Sequence, residues 1–325
     1  MSREYKASLM LALSVALFFI MQLVSVAFVN MDYIWLLVIS TLLISVVSLL
    51  LPALFAIKGN NPRDFGFISP GVSTILISIA LGVGAFFIST GINAFTTALM
   101  ETLGANSEIY SQGIEGAAGL GQYMLLVVLM CVFPAVCEET MFRSVLVTSW
   151  RHIGRKKVIM LSGMLFALMH ITPSSIPSFF VLGAIMAALM YDTKSVIPAI
   201  IVHFVNNFIS ISLLSLASNS DLVDLVETAQ AVEQVDIGTL LLMGVIYMVI
   251  GAIIAAPSFF AIKGIAKKRT YEKRLAYIES GETPIIDIEP EQTKLSAPAR
   301  NIMICTAAVL VIANVAMFLF SFVQL

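Results

Sequence analysis

Apolar stretches recur along the whole chain with only short polar turns between them, and this pattern leaves few folds open. A helix that crosses a bilayer needs about 20 apolar residues. Such stretches fall at roughly 7–29, 33–57, 72–99, 122–150, 157–171, 176–191, 195–218, 238–262 and 301–324. The expected fold class is all-α, a polytopic transmembrane helical bundle of about nine spans. The fifth and sixth stretches are short and joined by Thr172-Pro-Ser-Ser-Ile-Pro177. They are either tilted spans or a helical pair that stops short of the far surface. Only 12% of the 325 residues are charged and 59% are hydrophobic, with a mean hydropathy of +0.98. Soluble domains carry about 25% charged residues, so composition points the same way.

The first apolar run, from Ala7 to Val29, is longer than the core of a signal peptide and lacks a clear small-residue cleavage site, so a retained span is expected. The net charge of −2 says less than its distribution. With the N-terminus in the cytoplasm and nine alternating spans, 17 of the 18 Lys and Arg residues fall in cytoplasmic segments. The external loops then hold no cation but carry Asp32, Glu101, Glu108, Glu115, Asp221, Asp224, Glu227, Glu233 and Asp236. The cation left over is Arg143.

This divides the chain into an N-terminal two-span region (1–71), a helical core (72–218), an eighth span with an acidic external loop (219–262), a charged cytoplasmic loop (263–300) and a C-terminal span (301–325). The basic start of the long loop, Lys267-Lys-Arg269, is expected to hold it at an anionic leaflet. Cys131, Cys137 and Cys305 all lie in apolar segments and are expected to be small buried hydrophobes rather than a disulfide framework. No internal repeat, Gly-rich phosphate loop or nucleic-acid motif is present.

Three ionisable groups interrupt the fourth span: Glu138, Glu139 and Arg143. Each costs about 2.5–3.5 kcal/mol at the centre of a membrane on translocon-insertion scales, and such residues usually mark a functional site. Two of the three histidines, His170 and His203, also lie in apolar helices, whereas His152 falls in a basic turn and reads as a solvated residue. Glu138 stands 13 residues from Arg151, and His170 stands 13 from Lys157; His203 and Asn207 stand 9 and 13 from Lys194. At about 1.5 Å per residue, the expected depths are about 20, 20, 14 and 20 Å. Three helices thus bring polar groups to one level, with Pro134 expected to kink the first of them.

Helical spacing separates the two glutamates. Glu139 and Arg143 are four residues apart with the acid first, the favourable order for a supporting ion pair. Glu138 points about 100° away and is free of that partner. Phe166 with His170 and His203 with Asn207 repeat the four-residue spacing. A carboxylate and an imidazole facing a water can generate a nucleophile without serine or cysteine. A second His and an Asn can donate to a developing oxyanion, typically worth about 10²–10³ in rate per donor. A lone membrane histidine is more often a bond between helices, and a lone Glu–Arg pair an internal bridge; the convergence in depth favours catalysis.

Glu138-Glu139-Thr-Met-Phe-Arg143, Phe166-xxx-His170 and His203-xxx-Asn207, in that order on successive apolar segments, resemble the CPBP family, the CAAX-protease and bacteriocin-processing group of intramembrane endopeptidases, also called Abi. The resemblance covers about 120–210. It implies an intramembrane endopeptidase in which Glu138 and His170 activate water, His203 and Asn207 hold the oxyanion, and Glu139 with Arg143 supports them. It implies no cofactor in the glutamate version; the alternative is zinc held by Glu138, His170 and His203, although the His-x-x-x-His spacing of zinc helices is absent. The implied partners are a peptide or protein substrate, lipidated or exported, and membrane lipid, with no nucleic acid; nothing in the sequence speaks to an oligomer. The compact layout without an organelle signal looks like a prokaryotic member of the cytoplasmic membrane. Two other functions compete: a non-catalytic immunity or scaffold protein that binds a peptide or signalling partner, and a proton-coupled transporter, which the missing internal repeat disfavours.

Overall fold

The computed structural model describes residues 1–105, 117, 119–217, 236–280 and 292–322, and these fold without a strand into nine principal helices. They are α1 (Arg3–Val26), α2 (Tyr33–Ile57), α3 (Val72–Thr102), α4 (Leu120–Val147), α5 (Arg155–Met169), α6 (Ile176–Thr193), α7 (Ile197–Ala217), α8 (Ile237–Glu279) and α9 (Ala297–Phe320). Eight are long and apolar enough to cross a membrane, which makes this an integral multi-pass protein. The exception is α5, whose 15 residues reach about 22 Å. Of the acidic residues expected outside, Glu108, Glu115, Asp221, Asp224, Glu227 and Glu233 lie outside the described residues.

One boundary and one side chain differ from the sequence-based expectation. The eighth helix does not end at 262 but continues through Lys267, Lys268 and Arg269 to Glu279. Hydropathy marks where a helix meets water, not where its backbone bonds stop, and these residues are good helix formers. The segment 263–300 is therefore helical in its first half, and Arg269 donates to the Pro70 carbonyl. His152 is not merely solvated either: its Nε2 lies 3.0 Å from Glu4 Oε2, joining the turn before α5 to the start of α1.

Prolines shape two of the spans. Pro52 and Pro134 each follow a stretch of π-helix, at Leu42–Leu50 and Val128–Val132. Proline offers no N–H and crowds the carbonyl four residues earlier, and a widened turn relieves that crowding. A further π-helical stretch, Thr140–Val147, comes directly after Glu139.

Glycines bring the scaffold helices together. A Cβ on Gly84 of α3 would lie 2.7 Å from the Ala255 nitrogen of α8, and one on Gly91 would lie 2.7 Å from the Gly244 carbonyl oxygen. The two glycines are seven residues apart, so one face of α3 lies almost backbone to backbone against α8, the small-residue packing of membrane helices. Helices α5 and α6 form a hairpin that crosses at Gly163 and Gly183. Near its basic end, Arg155 at the start of α5 grips Asp192 of α6 through two hydrogen bonds of 2.8 and 2.7 Å. The last helix, α9, packs on α1 and α5.

Most of the buried side chains form one apolar cluster, running from Leu11 of α1 through Met141 and Phe142 of α4 to Met186 of α6. Cys131 and Cys137 are buried as expected. Cys305 is exposed on α9 instead, because a spanning helix at the periphery turns apolar residues outward to lipid as well as inward.

Candidate active site

The polar groups of α4, α5 and α7 meet where α4 packs against both the α5–α6 hairpin and α7. Arg143 is fully buried, and each of its contacts is a distinct neutralising device. Its Nη1 donates to Glu139 Oε1 at 2.9 Å, its Nη2 donates to the Gly183 carbonyl at 3.1 Å, and its guanidinium sits 4.3 Å from the Phe166 ring centroid. The carbonyl of Gly183 is within reach because the glycine lets α5 and α6 cross closely.

Glu139 has a second partner. His203 Nδ1 lies 2.9 Å from the same oxygen, Oε1. An ionised carboxylate only accepts, so Nδ1 is the donor. Arg143, Glu139 and His203 thus form one buried chain across α4 and α7, and Glu139 serves both donors through a single oxygen. The sequence-based pairing of Glu139 with Arg143 omitted this link, because His203 is 64 residues away.

His170 caps the end of α5. Its Nδ1 is 2.9 Å from the Phe166 carbonyl oxygen, which likewise can only accept. The neutral ring therefore presents the Nε2 lone pair on its other side, where Glu138 Oε2 stands 3.9 Å away. The imidazole is clamped between aromatic rings, at 4.9 Å from Phe166 and stacked at 4.1 Å on Phe179 of α6. Glu138 and His170 keep 15% and 27% of their side-chain surface, whereas Glu139 and Arg143 keep none. The Glu138–His170 pair stays partly accessible; the supporting pair is sealed.

Asn207 is placed differently from the expected partner of His203. Its Nδ2 donates to the Met130 carbonyl at 3.1 Å, and its Oδ1 accepts from Asn206 Nδ2 at 3.1 Å. Met130 is four residues before Pro134, so its α-helical hydrogen-bond donor is missing. Asn207 supplies a replacement in a membrane that has no water to do so. One of its two N–H groups is thereby committed to the fold.

Both histidines direct Nδ1 to an acceptor, an outer-shell pattern common for metal ligands. Among the described residues, however, no three His, Cys, Asp or Glu side chains converge as a metal cage requires.

The sequence did not single out Phe179, Gly183, Met130 or Asn206. Asn206 adjoins a motif residue and was within reach of the spacing argument. The other three act through a ring or backbone carbonyl, which no side-chain pattern reports. No curated protein and no solved structure matches the chain. Residues 120–209, which hold Glu138, Glu139, Arg143, His170, His203 and Asn207, match the family model described as Rce1-like, type II CAAX prenyl endopeptidase, in agreement with the resemblance carried by the three motifs.

Proposed function

We propose that this protein is an intramembrane endopeptidase in which Glu138 and His170 activate a water. The observation that carries the reading is the 3.9 Å approach of Glu138 Oε2 to His170 Nε2. Both atoms are acceptors, and Glu138 Oε2 is buried with no hydrogen-bond partner among the described residues. Two acceptors at that distance need hydrogen between them, and a water supplies one hydrogen to each. A buried unpaired acceptor otherwise costs about 1–3 kcal/mol.

In this reading Glu138 takes a proton from the water as its oxygen attacks the scissile carbonyl carbon, while His170 orients the second hydrogen. The carbonyl oxygen becomes an oxyanion. Collapse re-forms the carbonyl, breaks the C–N bond and passes the proton from Glu138 to the leaving amine nitrogen. His203 and Asn207 are assigned to the oxyanion. With Nδ1 donated to Glu139, His203 donates from Nε2 only as the imidazolium, paired there with the Glu139 carboxylate. Asn207 contributes its remaining N–H. No metal takes part. The substrate is a membrane-associated peptide or protein tail, and a prenylated C-terminal tail is the class proposed from the family match.

The test uses purified protein in lipid nanodiscs with a farnesylated, C-terminally quenched reporter peptide. Wild type cleaves it, and Glu138→Ala and His170→Ala keep their helical circular dichroism and lose cleavage. Cleavage that survives both substitutions would sink the proposal.

A further inference from the structure

The last helix carries a polar residue in the middle of an apolar run. Asn314 lies 17 residues from the start of α9, about 26 Å along it, and is 4% exposed. Its Nδ2 donates to the Leu168 carbonyl of α5 at 2.8 Å and to its own helix at Leu310 at 2.9 Å. Leu168 is two residues before His170, in the last turn of α5, where carbonyls lack helical partners.

That turn is not a relaxed helix end. His170 closes it with a 3.3 Å bond from its N–H to the Ala167 carbonyl, and the Ile171 N–H reaches the Leu168 carbonyl only at 3.4 Å. Ile171 has φ of +49°, the left-handed region that a β-branched residue rarely adopts. Such a conformation persists only where neighbours over-determine it. The Thr172 hydroxyl donates to the His170 carbonyl at 3.1 Å, and Phe179 stacks on the face of the imidazole. Asn314 is the tie from α9. It lies outside residues 120–209, so the family match says nothing of it.

We propose that Asn314 is a positioning residue: through the Leu168 carbonyl it fixes the strained end of α5 and thereby aims His170 at Glu138. This gives the last span a part in the site and rests on the role assigned to His170 under the proposed function. Its first readout is independent of that role. The chain has three histidines, so ¹³C,¹⁵N-histidine-labelled protein in nanodiscs gives three imidazole signals, assigned by His152→Gln, His170→Gln and His203→Gln.

Asn314→Leu keeps the number and branching of the side-chain heavy atoms, at a larger volume, and removes the donor. It is expected to shift or split the His170 signal and leave those of His152 and His203 in place. On the farnesylated reporter peptide it is expected to lower kcat about 3- to 20-fold, the range an interhelical hydrogen bond in a membrane is worth, with KM unchanged. Thr306→Val on the same helix is the control, since Thr306 is buried and its hydroxyl donates within α9 to the Ile302 carbonyl. An unmoved His170 signal in Asn314→Leu overturns the proposal, as does an equal shift in Thr306→Val, which would make α9 a packing element only. A shifted signal with no cleavage by wild type would refute the peptidase reading and leave the positioning geometry standing.

Discussion

Exchanging each of the two adjacent glutamates for glutamine should produce opposite phenotypes. In Glu139→Gln the amide oxygen can still accept from Arg143 Nη1 and His203 Nδ1, because both 2.9 Å bonds converge on one carboxylate oxygen. Shape and hydrogen bonds survive, and only the charge goes. Arg143 is fully buried and would lose its counter-ion, keeping the Gly183 carbonyl and the Phe166 ring. Removing one partner of a buried ion pair costs about 3–5 kcal/mol. At about 2–4 °C per kcal/mol, the coefficient for large domains, the melting temperature should fall by roughly 6–20 °C. Glu138 has no cation partner among the described residues, its neighbour at 3.9 Å being the lone-pair side of the neutral His170 ring, and its buried Oε2 has no hydrogen bond there. Glu138→Gln should therefore melt within about 1 °C of wild type, unchanged or slightly higher, and lose cleavage entirely. Tryptophan-fluorescence melts in detergent and the reporter-peptide assay measure the two quantities on the same samples. Equal destabilisation by both substitutions, or cleavage by Glu138→Gln, would refute the division of labour between them.

The geometry predicts three further outcomes. Asn207→Leu leaves the Met130 carbonyl without its side-chain donor and should cost about 1–3 kcal/mol in a detergent melt; in a Pro134→Ala background, where a backbone N–H returns at position 134, the cost should shrink. Gly84→Ala places a methyl 2.7 Å from the Ala255 nitrogen, so α3 and α8 must separate; a loss of about 1–3 kcal/mol is expected by thermal unfolding. Cleavage should persist after dialysis against a strong chelator, and a loss restored by added zinc would show the metal-free mechanism to be wrong.

Several features are legible in the sequence because they are local or cumulative. Apolar length marks spans, and three motifs in order match a family whose model covers the same segment. Four-residue spacing along one helix puts Glu139 near Arg143 whatever the rest of the molecule does, and the pair closes at 2.9 Å. Contacts between helices are another matter. The rotation of α4 about its axis depends on π-helical turns at 128–132 and 140–147, and each extra residue in a turn rotates the remainder of the helix by about 100°. Arithmetic on an ideal α-helix survives one four-residue step into such a stretch, as for Glu139 and Arg143, but loses the face beyond it. That is why the link from Glu139 to His203 and the engagement of Asn207 with Met130 were not readable from spacing.

By itself, then, the sequence determined a membrane helical bundle and the set of polar groups that must hide within it, since both follow from the cost of exposing charge and backbone to lipid. Only the tertiary structure decided which of those groups meet. Glycine crossings at Gly84, Gly91, Gly163 and Gly183 set how close the helices come. That closeness places a Gly183 carbonyl against Arg143 and, from the far end of the chain, Asn314 against the turn that holds His170.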